Sequence, residues 1–157
     1  MENKQIVIDY KEFDSIDELI PKDRELLENA IDAIRGSYAP YSNFNVGAAV
    51  RLRNGLIIKG ANQENAAYPS GLCAERTAMF SAAARYPNEP FEAIAVVASQ
   101  NGKLQPAPSH PCGACRQVMA QYETRWQRNL KIIIGSAGKI QIFDSVSGLM
   151  PFIFKDI

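Results

Sequence analysis

Three cysteines, all that the 157-residue chain contains, fall in two short motifs that could bind a metal ion. Cys73 opens "CAERTA", with Glu75 and Arg76 close behind it, and Cys112 and Cys115 stand in "PCGAC". Thiolates are strong zinc ligands, and a catalytic zinc site uses three protein ligands and keeps its fourth position for water. Glu75 is then placed to take a proton from that water and pass it to a substrate nitrogen. The two motifs therefore predict a hydrolytic zinc centre.

Two helices must bring these thiols together. Helical patterns run from Cys73 to about residue 86 and from Pro111 to about residue 126, and proline is favourable in a first helical turn. Cys112 and Cys115, three residues apart, lie on one face of such a helix. The positive end of a helix dipole favours thiolate over thiol. We therefore expect two helix N-termini to direct three thiolates at one ion.

Two arginines are candidates for tuning the charge of this centre. Three thiolates around Zn²⁺ leave a net charge of minus one, which weakens the ion as a Lewis acid. Arg76, or as a second candidate Arg116, could donate to a thiolate sulfur and withdraw charge. Arg76 could also be an ordinary surface residue of its helix.

Two other interpretations of the cysteines stay open. His110, the only histidine of the chain, stands two residues before Cys112 and could complete a structural Cys3His site. The "PCGAC" motif alone could be a redox dithiol, although Cys73 and Glu75 would then have no explanation.

Composition excludes several classes of partner. Lys plus Arg and Asp plus Glu both number 17, so the chain has no excess charge for a long polyanion such as nucleic acid. No apolar run approaches the length of a membrane span, and "MENKQIVIDYKEF" lacks the features of a signal peptide. We expect a cytoplasmic protein, in which cysteines serve as metal ligands or reactive thiols rather than disulfides.

The remaining segments alternate between strands and helices. A helical pattern begins at Pro21 and reaches Gly36, and "VGAAVRLR" and "LIIKGAN" flank Asn54-Gly55 as a hairpin with a tight primed turn. Further strands are predicted at "FEAIAVVAS", "LKIIIGS" and "KIQIFDS", with an extra one at "QIVIDY". This order predicts one mixed sheet covered by helices.

The pair "CAERTA" and "PCGACRQ" closely resembles the zinc-dependent cytidine deaminases in their three-cysteine, usually homotetrameric form. "YSNFNVGAAV" is similar to the loop and first strand of that family, "GANQENAAY" to its substrate loop, and the resemblance runs from about residue 22 to the end. It implies an α/β fold, a three-layer α/β/α sandwich with a mixed sheet of about five strands. Residues 1–20 would be an N-terminal extension and residues 21–157 the deaminase domain.

The resemblance also implies an activity: zinc-dependent hydrolytic deamination of cytidine and 2′-deoxycytidine to uridine and 2′-deoxyuridine, with release of ammonia, in pyrimidine salvage. One Zn²⁺ per subunit would be held by Cys73, Cys112 and Cys115, and Glu75 would shuttle protons. The family often has a serine near His110, so "SHPCGAC" departs from its pattern at the pocket rim.

Six further residues have implied roles toward substrate. Phe44 would lie against the pyrimidine ring, Asn62 and Glu64 would hold ribose hydroxyls, the backbone at Ala66 would accept from the exocyclic amine, and Tyr68 and Phe154 would close a neighbouring subunit's pocket. Phe44 could instead be a packing residue, and Asn62 and Glu64 could stabilise a turn.

The substrate class is argued from the same residues. An amide and a carboxylate suit a neutral ligand with two sugar hydroxyls, and a carboxylate would repel a nearby 5′-phosphate. Asn62 and Glu64 therefore favour nucleosides over free bases and nucleotides. Other amino-bearing heterocycles, including blasticidin S, are substrates within the superfamily.

Overall fold

Seven strands form one mixed sheet within residues 1–155, the part of the chain that the computed structural model describes. The strands are β1 (Lys11–Phe13), β2 (Phe44–Leu52), β3 (Ile57–Ala61), β4 (Phe91–Gln100), β5 (Lys103–Leu104), β6 (Lys131–Gly135) and β7 (Ile140–Phe143). The helices are α1 (Pro21–Ala33), α2 (Ala74–Arg85) and α3 (Gly113–Trp126).

The strand order is β1-β7-β6-β4-β2-β3, with β5 paired to the end of β4. Strands β4 and β6 are parallel, and every other pair is antiparallel. The predicted count of about five strands is too low, because two short strands at the margins, β1 and β5, join the five that the sequence pattern indicates. The segment "QIVIDY" forms no strand, and the extension joins the sheet only through Lys11–Phe13.

Helices cover both faces of the sheet, which confirms the predicted three layers. Strand β4 is apolar on both faces: Ala93, Ala95 and Val97 pack with α1, whereas Ile94 and Val96 pack with α2 and α3. A strand buried on both faces has a continuous apolar run rather than an alternating one. The run "FEAIAVVAS" therefore identifies the centre of the sheet.

Helix α2 lies unusually close to β3. A Cβ added at Gly60 would lie 2.4 Å from the backbone nitrogen of Ala78 and 2.9 Å from the carbonyl oxygen of Ala74. Only glycine has no side-chain atom to occupy this space. Gly60 therefore sets how closely the cysteine-bearing end of α2 approaches the sheet.

The hairpin between β2 and β3 is confirmed, but its turn is wider than predicted. Gly55 has a φ of +90° and its N–H donates to the carbonyl oxygen of Leu52 at 2.9 Å. Asn54 does not adopt the positive φ that a two-residue primed turn requires. A four-residue loop, 53–56, therefore joins the strands.

A buried ion network fixes the start of α1 to the sheet. Arg51 on β2 is 5% exposed and donates to Asp23 at 3.2 Å and to Glu92 at 2.9 Å, while Lys131 donates to the other oxygen of Asp23 at 2.9 Å. Asp23 itself is 2% exposed. Charges so deeply buried are tolerated only when they are paired and hydrogen-bonded.

A search of the described residues for a helix of sufficient length and hydropathy to cross a bilayer finds none.

Candidate metal and active site

The three cysteine sulfurs converge at the N-termini of α2 and α3. Cys73 is the N-cap residue of α2, Cys112 is the N-cap residue of α3, and Cys115 lies in the first turn of α3. Helix α3 begins at Gly113, so Pro111 precedes the helix instead of standing in its first turn as predicted. The N-cap placement directs both sulfurs ahead of the helix ends, where the dipoles are positive.

The spacing of the sulfurs matches a tetrahedral zinc site. Cys112 Sγ lies 3.7 Å from Cys73 Sγ and 3.6 Å from Cys115 Sγ, and all three lie within 4.8 Å of one another. Zinc–sulfur bonds of about 2.3 Å in tetrahedral geometry place two sulfurs about 3.8 Å apart. The three residues therefore fit the group that the motifs predict.

His110 does not complete a fourth ligand position. Within residues 1–155, the group of possible ligand atoms at this site comprises the three sulfurs and no histidine nitrogen. The Nε2 of His110 instead bonds Gln141 Oε1 at 2.8 Å. The Cys3His alternative is therefore wrong for this structure, and three ligands leave a position open.

Glu75 is a buried carboxyl group beside the sulfurs. It is 4% exposed, on the first turn of α2, and it lines the same cavity as Cys73 and Cys112. Burial raises its pKa to about 7, and the neighbouring Cys73 thiolate adds to the rise. A carboxyl group with a pKa near neutrality can both accept and return a proton. A site that worked only as a redox dithiol would not need such a group.

Arg76 contacts the thiol cluster as predicted. Its Nη2 donates to Cys73 Sγ at 3.5 Å. Hydrogen bonding from the Cys115 thiol, and then from Arg76, lowers the pKa of Cys73 to about 5. The same bond to Cys73, together with burial, raises the pKa of Cys115. By themselves the thiols therefore carry their negative charge on Cys73.

Arg116 does not contact a sulfur, which corrects the second charge-tuning candidate. Its Nε donates to the carbonyl oxygen of Pro111 at 2.7 Å and its Nη1 to that of Leu149 at 2.5 Å. One residue beyond Cys115 the side chain has turned about 100° around the helix. Arg116 therefore ties the segment after β7 to the loop before α3.

A cavity of about 760 Å³ opens in front of the sulfurs. Four of the predicted substrate residues line it: Phe44, Asn62, Glu64 and Tyr68. Ala66 lies in an exposed loop outside the lining, and Phe154 is 67% exposed with its carbonyl oxygen accepting from Gln117 at 2.7 Å. Tyr68 is 78% exposed and lines the cavity of its own chain.

Asn62 and Glu64 also stabilise the cavity wall itself. Asn62 Nδ2 donates to the carbonyl oxygen of Phe44 at 2.9 Å, and its Oδ1 accepts from Val46 N at 2.8 Å. Glu64 accepts from the backbone of Tyr41 at 2.8 Å and from the Ser42 hydroxyl, and the latter bond lowers its pKa. An amide has a second N–H and a carboxylate has further lone pairs. Both side chains therefore keep capacity for a ligand.

Sequence reasoning missed Tyr41 among the lining residues, whereas it placed Ser109 and His110, in "SHPCGAC", at the pocket rim. Tyr41 packs edge-on against Tyr68 with ring centroids 6.4 Å apart, and Ser109 and His110 form another part of the wall. For Tyr41 the available signal was its position three residues before Phe44, a predicted substrate contact. For His110 the signal was its place beside the "PCGAC" motif, although its ring bonds a residue 31 positions away.

Comparisons with known proteins agree with this geometry. The profile of the family described as "Cytidine and deoxycytidylate deaminase zinc-binding region" matches residues 20–127. A cytidine deaminase of Halalkalibacterium halodurans is 46% identical over 134 residues, which are 84% of this chain and 94% of the relative.

Solved structures give the same result. The crystal structure of cytidine deaminase from Burkholderia pseudomallei is 42% identical with a TM-score of 0.71, over 83% of this chain and 97% of the other. That of cytidine deaminase from Mycobacterium tuberculosis is 30% identical with a TM-score of 0.65, over 84% of this chain and 96% of the other.

Proposed function

The chain belongs to the cytidine and deoxycytidylate deaminase family, and we propose that its cavity is where cytidine and water are converted to uridine and ammonia. The observation that carries this proposal is the joint placement of three sulfurs at zinc spacing and one buried carboxyl group at the cavity wall. Hydrolytic deamination of an aminopyrimidine needs an activated water and a group that moves protons, and this arrangement has a residue for each task.

Cys73, Cys112 and Cys115 would hold one Zn²⁺ per subunit. When bound, the ion would lower the pKa of a water molecule and so make it a nucleophile toward C4 of the pyrimidine. Glu75 accepts one proton of the water and delivers it to N3 of the ring, and it then transfers the second proton of that water, from the hydroxyl now on C4, to the amino group, which leaves as ammonia when the C4–N bond breaks. Its raised pKa suits both directions of transfer near neutral pH. Arg76, through Cys73, disperses the negative charge of the thiolates.

The substrate is proposed to be the nucleoside. Phe44 would pack against the pyrimidine ring, the free N–H of Asn62 and the carboxylate of Glu64 would bind ribose hydroxyls, and the backbone at Ala66 would accept from the exocyclic amine. The lowered pKa of Glu64 keeps it ionised, which opposes binding of a phosphate beside it. Both cytidine and 2′-deoxycytidine are proposed substrates, because neither side chain is committed to the 2′-hydroxyl.

The assembly is proposed to be a homotetramer in which Tyr68 and Phe154 contact a neighbouring subunit's pocket. Exposed aromatic side chains at three further places support an interface: Phe80, Phe152 and Tyr41. Free thiols suit a reducing compartment, so we propose a cytoplasmic location. Conversion of a cytosine nucleoside to the uracil nucleoside is the basis on which we propose a role in pyrimidine salvage. Sedimentation of the native protein measures the subunit number, and a monomer that retains full activity would contradict the shared pocket.

The test of function is the conversion of cytidine by the zinc-loaded protein, followed by ammonia release and by the change in ultraviolet absorbance. Glu75→Gln keeps the shape of the side chain but cannot carry a proton, so activity should fall by about 10²- to 10⁴-fold while zinc content stays at one per chain. Glu28→Gln, an exposed position on α1, is the matched control and should be unchanged. A zinc-loaded wild-type protein that leaves cytidine intact would refute the proposal.

A steady-state comparison defines the substrate class. Cytidine and 2′-deoxycytidine should have similar kcat/KM values, and CMP and blasticidin S much lower ones. A preference for CMP would show that Glu64 does not act against phosphate.

A further inference from the structure

The N-terminal extension is linked to the cavity wall through strand β1. Strand β1 pairs with β7 so that Glu12 stands directly opposite Gln141. The family profile begins at residue 20, so β1 lies outside the matched region. Glu12 of the extension contacts Gln141, and Gln141 contacts His110, which lines the cavity.

A chain of hydrogen bonds fixes the orientation of each group along this path. Gln141 Nε2 donates to Glu12 Oε2 at 2.8 Å, and a carboxylate can only accept. The amide oxygen of Gln141 therefore faces His110 Nε2, 2.8 Å away. Since an amide oxygen also only accepts, His110 Nε2 must carry the hydrogen. Lys139 lies 3.5 Å from the other oxygen of Glu12 and helps to hold it.

The imidazole ring is also held by packing. Its centroid lies 6.3 Å from that of Phe143 with the two planes at 72°, and Tyr10 stacks on Phe143 at 5.2 Å. Tyr10 and Glu12 both belong to the extension. The extension therefore supports His110 in two ways, by aromatic packing through Phe143 and by hydrogen bonding through Gln141. Within residues 1–155, the remaining ring nitrogen, Nδ1, has no hydrogen-bond partner.

We propose that the extension is part of the substrate site: Glu12, through Gln141, holds His110 as the Nε2–H tautomer, and Nδ1 accepts a hydrogen bond from the bound nucleoside. This rests on the proposed function. In the neutral ring only the nitrogen without hydrogen accepts, so the tautomer decides what the wall can recognise. A sugar hydroxyl and the exocyclic amine are the two donors of the nucleoside. His110 is a specificity residue, and Glu12 and Gln141 are positioning residues.

Nitrogen NMR of the zinc-loaded protein tests the orientation without reference to activity. His110 is the only histidine, so selective ¹⁵N-histidine labelling gives one pair of ring signals. In alkaline buffer, where imidazoles are neutral, the wild type should show hydrogen on Nε2. Glu12→Gln lets the Gln141 amide rotate and should give a mixture of tautomers, and so should Gln141→Met, which removes the acceptor. Lys11→Gln, exposed on the same strand, should leave the spectrum unchanged.

Kinetics test the contact with substrate. Loss of one hydrogen bond predicts a roughly three- to tenfold rise in KM for cytidine in Glu12→Gln and in His110→Phe, with kcat changed much less. For an analogue that lacks the donor bound by Nδ1, KM should be the same in the wild type and in the variants. Comparing 2′-, 3′- and 5′-deoxycytidine identifies a hydroxyl, and an equal rise with all three assigns the amine.

Three results would overturn the inference: hydrogen on Nδ1 in the wild type, unchanged tautomers in both Glu12→Gln and Gln141→Met, or an unchanged KM in His110→Phe. Each differs from failure of the proposed function, in which the wild-type protein would not deaminate cytidine at all. Zinc content and thermal unfolding of each variant show that the sheet and the thiol cluster are intact.

Discussion

A methyl group at position 60 should destroy the metal site without touching any of its ligands. In Gly60→Ala the new Cβ would lie 2.4 Å from the backbone nitrogen of Ala78, whereas ordinary contacts of a Cβ begin near 3.4 Å. Backbone cannot rotate away as a side chain can, so α2 must move from β3 by about 1.0 Å, the difference between these two distances. Overpacking of this kind typically costs about 1–3 kcal/mol of stability.

The displacement matters because Cys73 is the N-cap residue of α2 and Cys112 belongs to α3. Their sulfurs lie 3.7 Å apart, and a metal site requires its ligand distances to within about 0.2 Å. A shift of about 1.0 Å is several times that tolerance. We therefore expect Gly60→Ala to be purified with little zinc and to unfold at lower urea concentration than the wild type.

Gly113→Ala is the matched control, because Gly113 is adjacent to Cys112 and a Cβ there meets no atom within 4 Å. This substitution should keep one zinc per chain and stabilise the protein by up to about 1 kcal/mol, through the lower entropy of the unfolded chain. Metal analysis and urea titration of both variants are the assay. If Gly60→Ala binds zinc with wild-type affinity, the close packing of α2 on β3 does not position the site.

Two further predictions concern charges. Arg76→Ala removes the cation beside Cys73, so zinc affinity measured by chelator competition should fall about 10- to 100-fold. In the metal-free wild type the Cys73 thiolate is present above a pKa of about 5, and in Arg76→Ala it should form only at higher pH, as followed by iodoacetamide alkylation and peptide mapping. The control Arg85→Ala, on the same helix, should change neither the zinc affinity nor the alkylation profile. An unaltered alkylation profile in Arg76→Ala would contradict the contact. Asp23→Ala leaves Arg51 buried without one of its carboxylates and should cost about 3–5 kcal/mol in urea unfolding, whereas a loss below about 1 kcal/mol would show that the network is dispensable.

The thiol cluster and the central strands could be predicted because their signals are local. The sulfur ligands stand in two short motifs, and the apolar runs of β4 and β6 suffice to mark buried strands. The position of β1 could not be predicted in this way. "QIVIDY" has the composition of a strand, but pairing with β7 selects Lys11–Phe13. Strand β5 has two residues, too few for any periodicity.

Interactions between distant residues also escaped prediction. Arg76 and Arg116 each follow a cysteine closely in sequence, yet only Arg76 contacts a sulfur, because helix phase and the chain near Leu149 decide where each side chain goes. The bond between Glu12 and Gln141 joins positions 129 apart. No motif encodes such a pair, and only the register of β1 on β7 creates it.

The thiols come from segments that are far apart along the chain. Cys73 and Cys112 are separated by 39 positions, and the intervening residues include α2 and the central strand β4. An ion that binds these sulfurs in the folded chain, and only weakly in the unfolded chain where they lie far apart, would stabilise the folded state by the difference in binding free energy. The ligands of a catalytic ion would in this way also determine how much denaturant the sheet and its covering helices withstand.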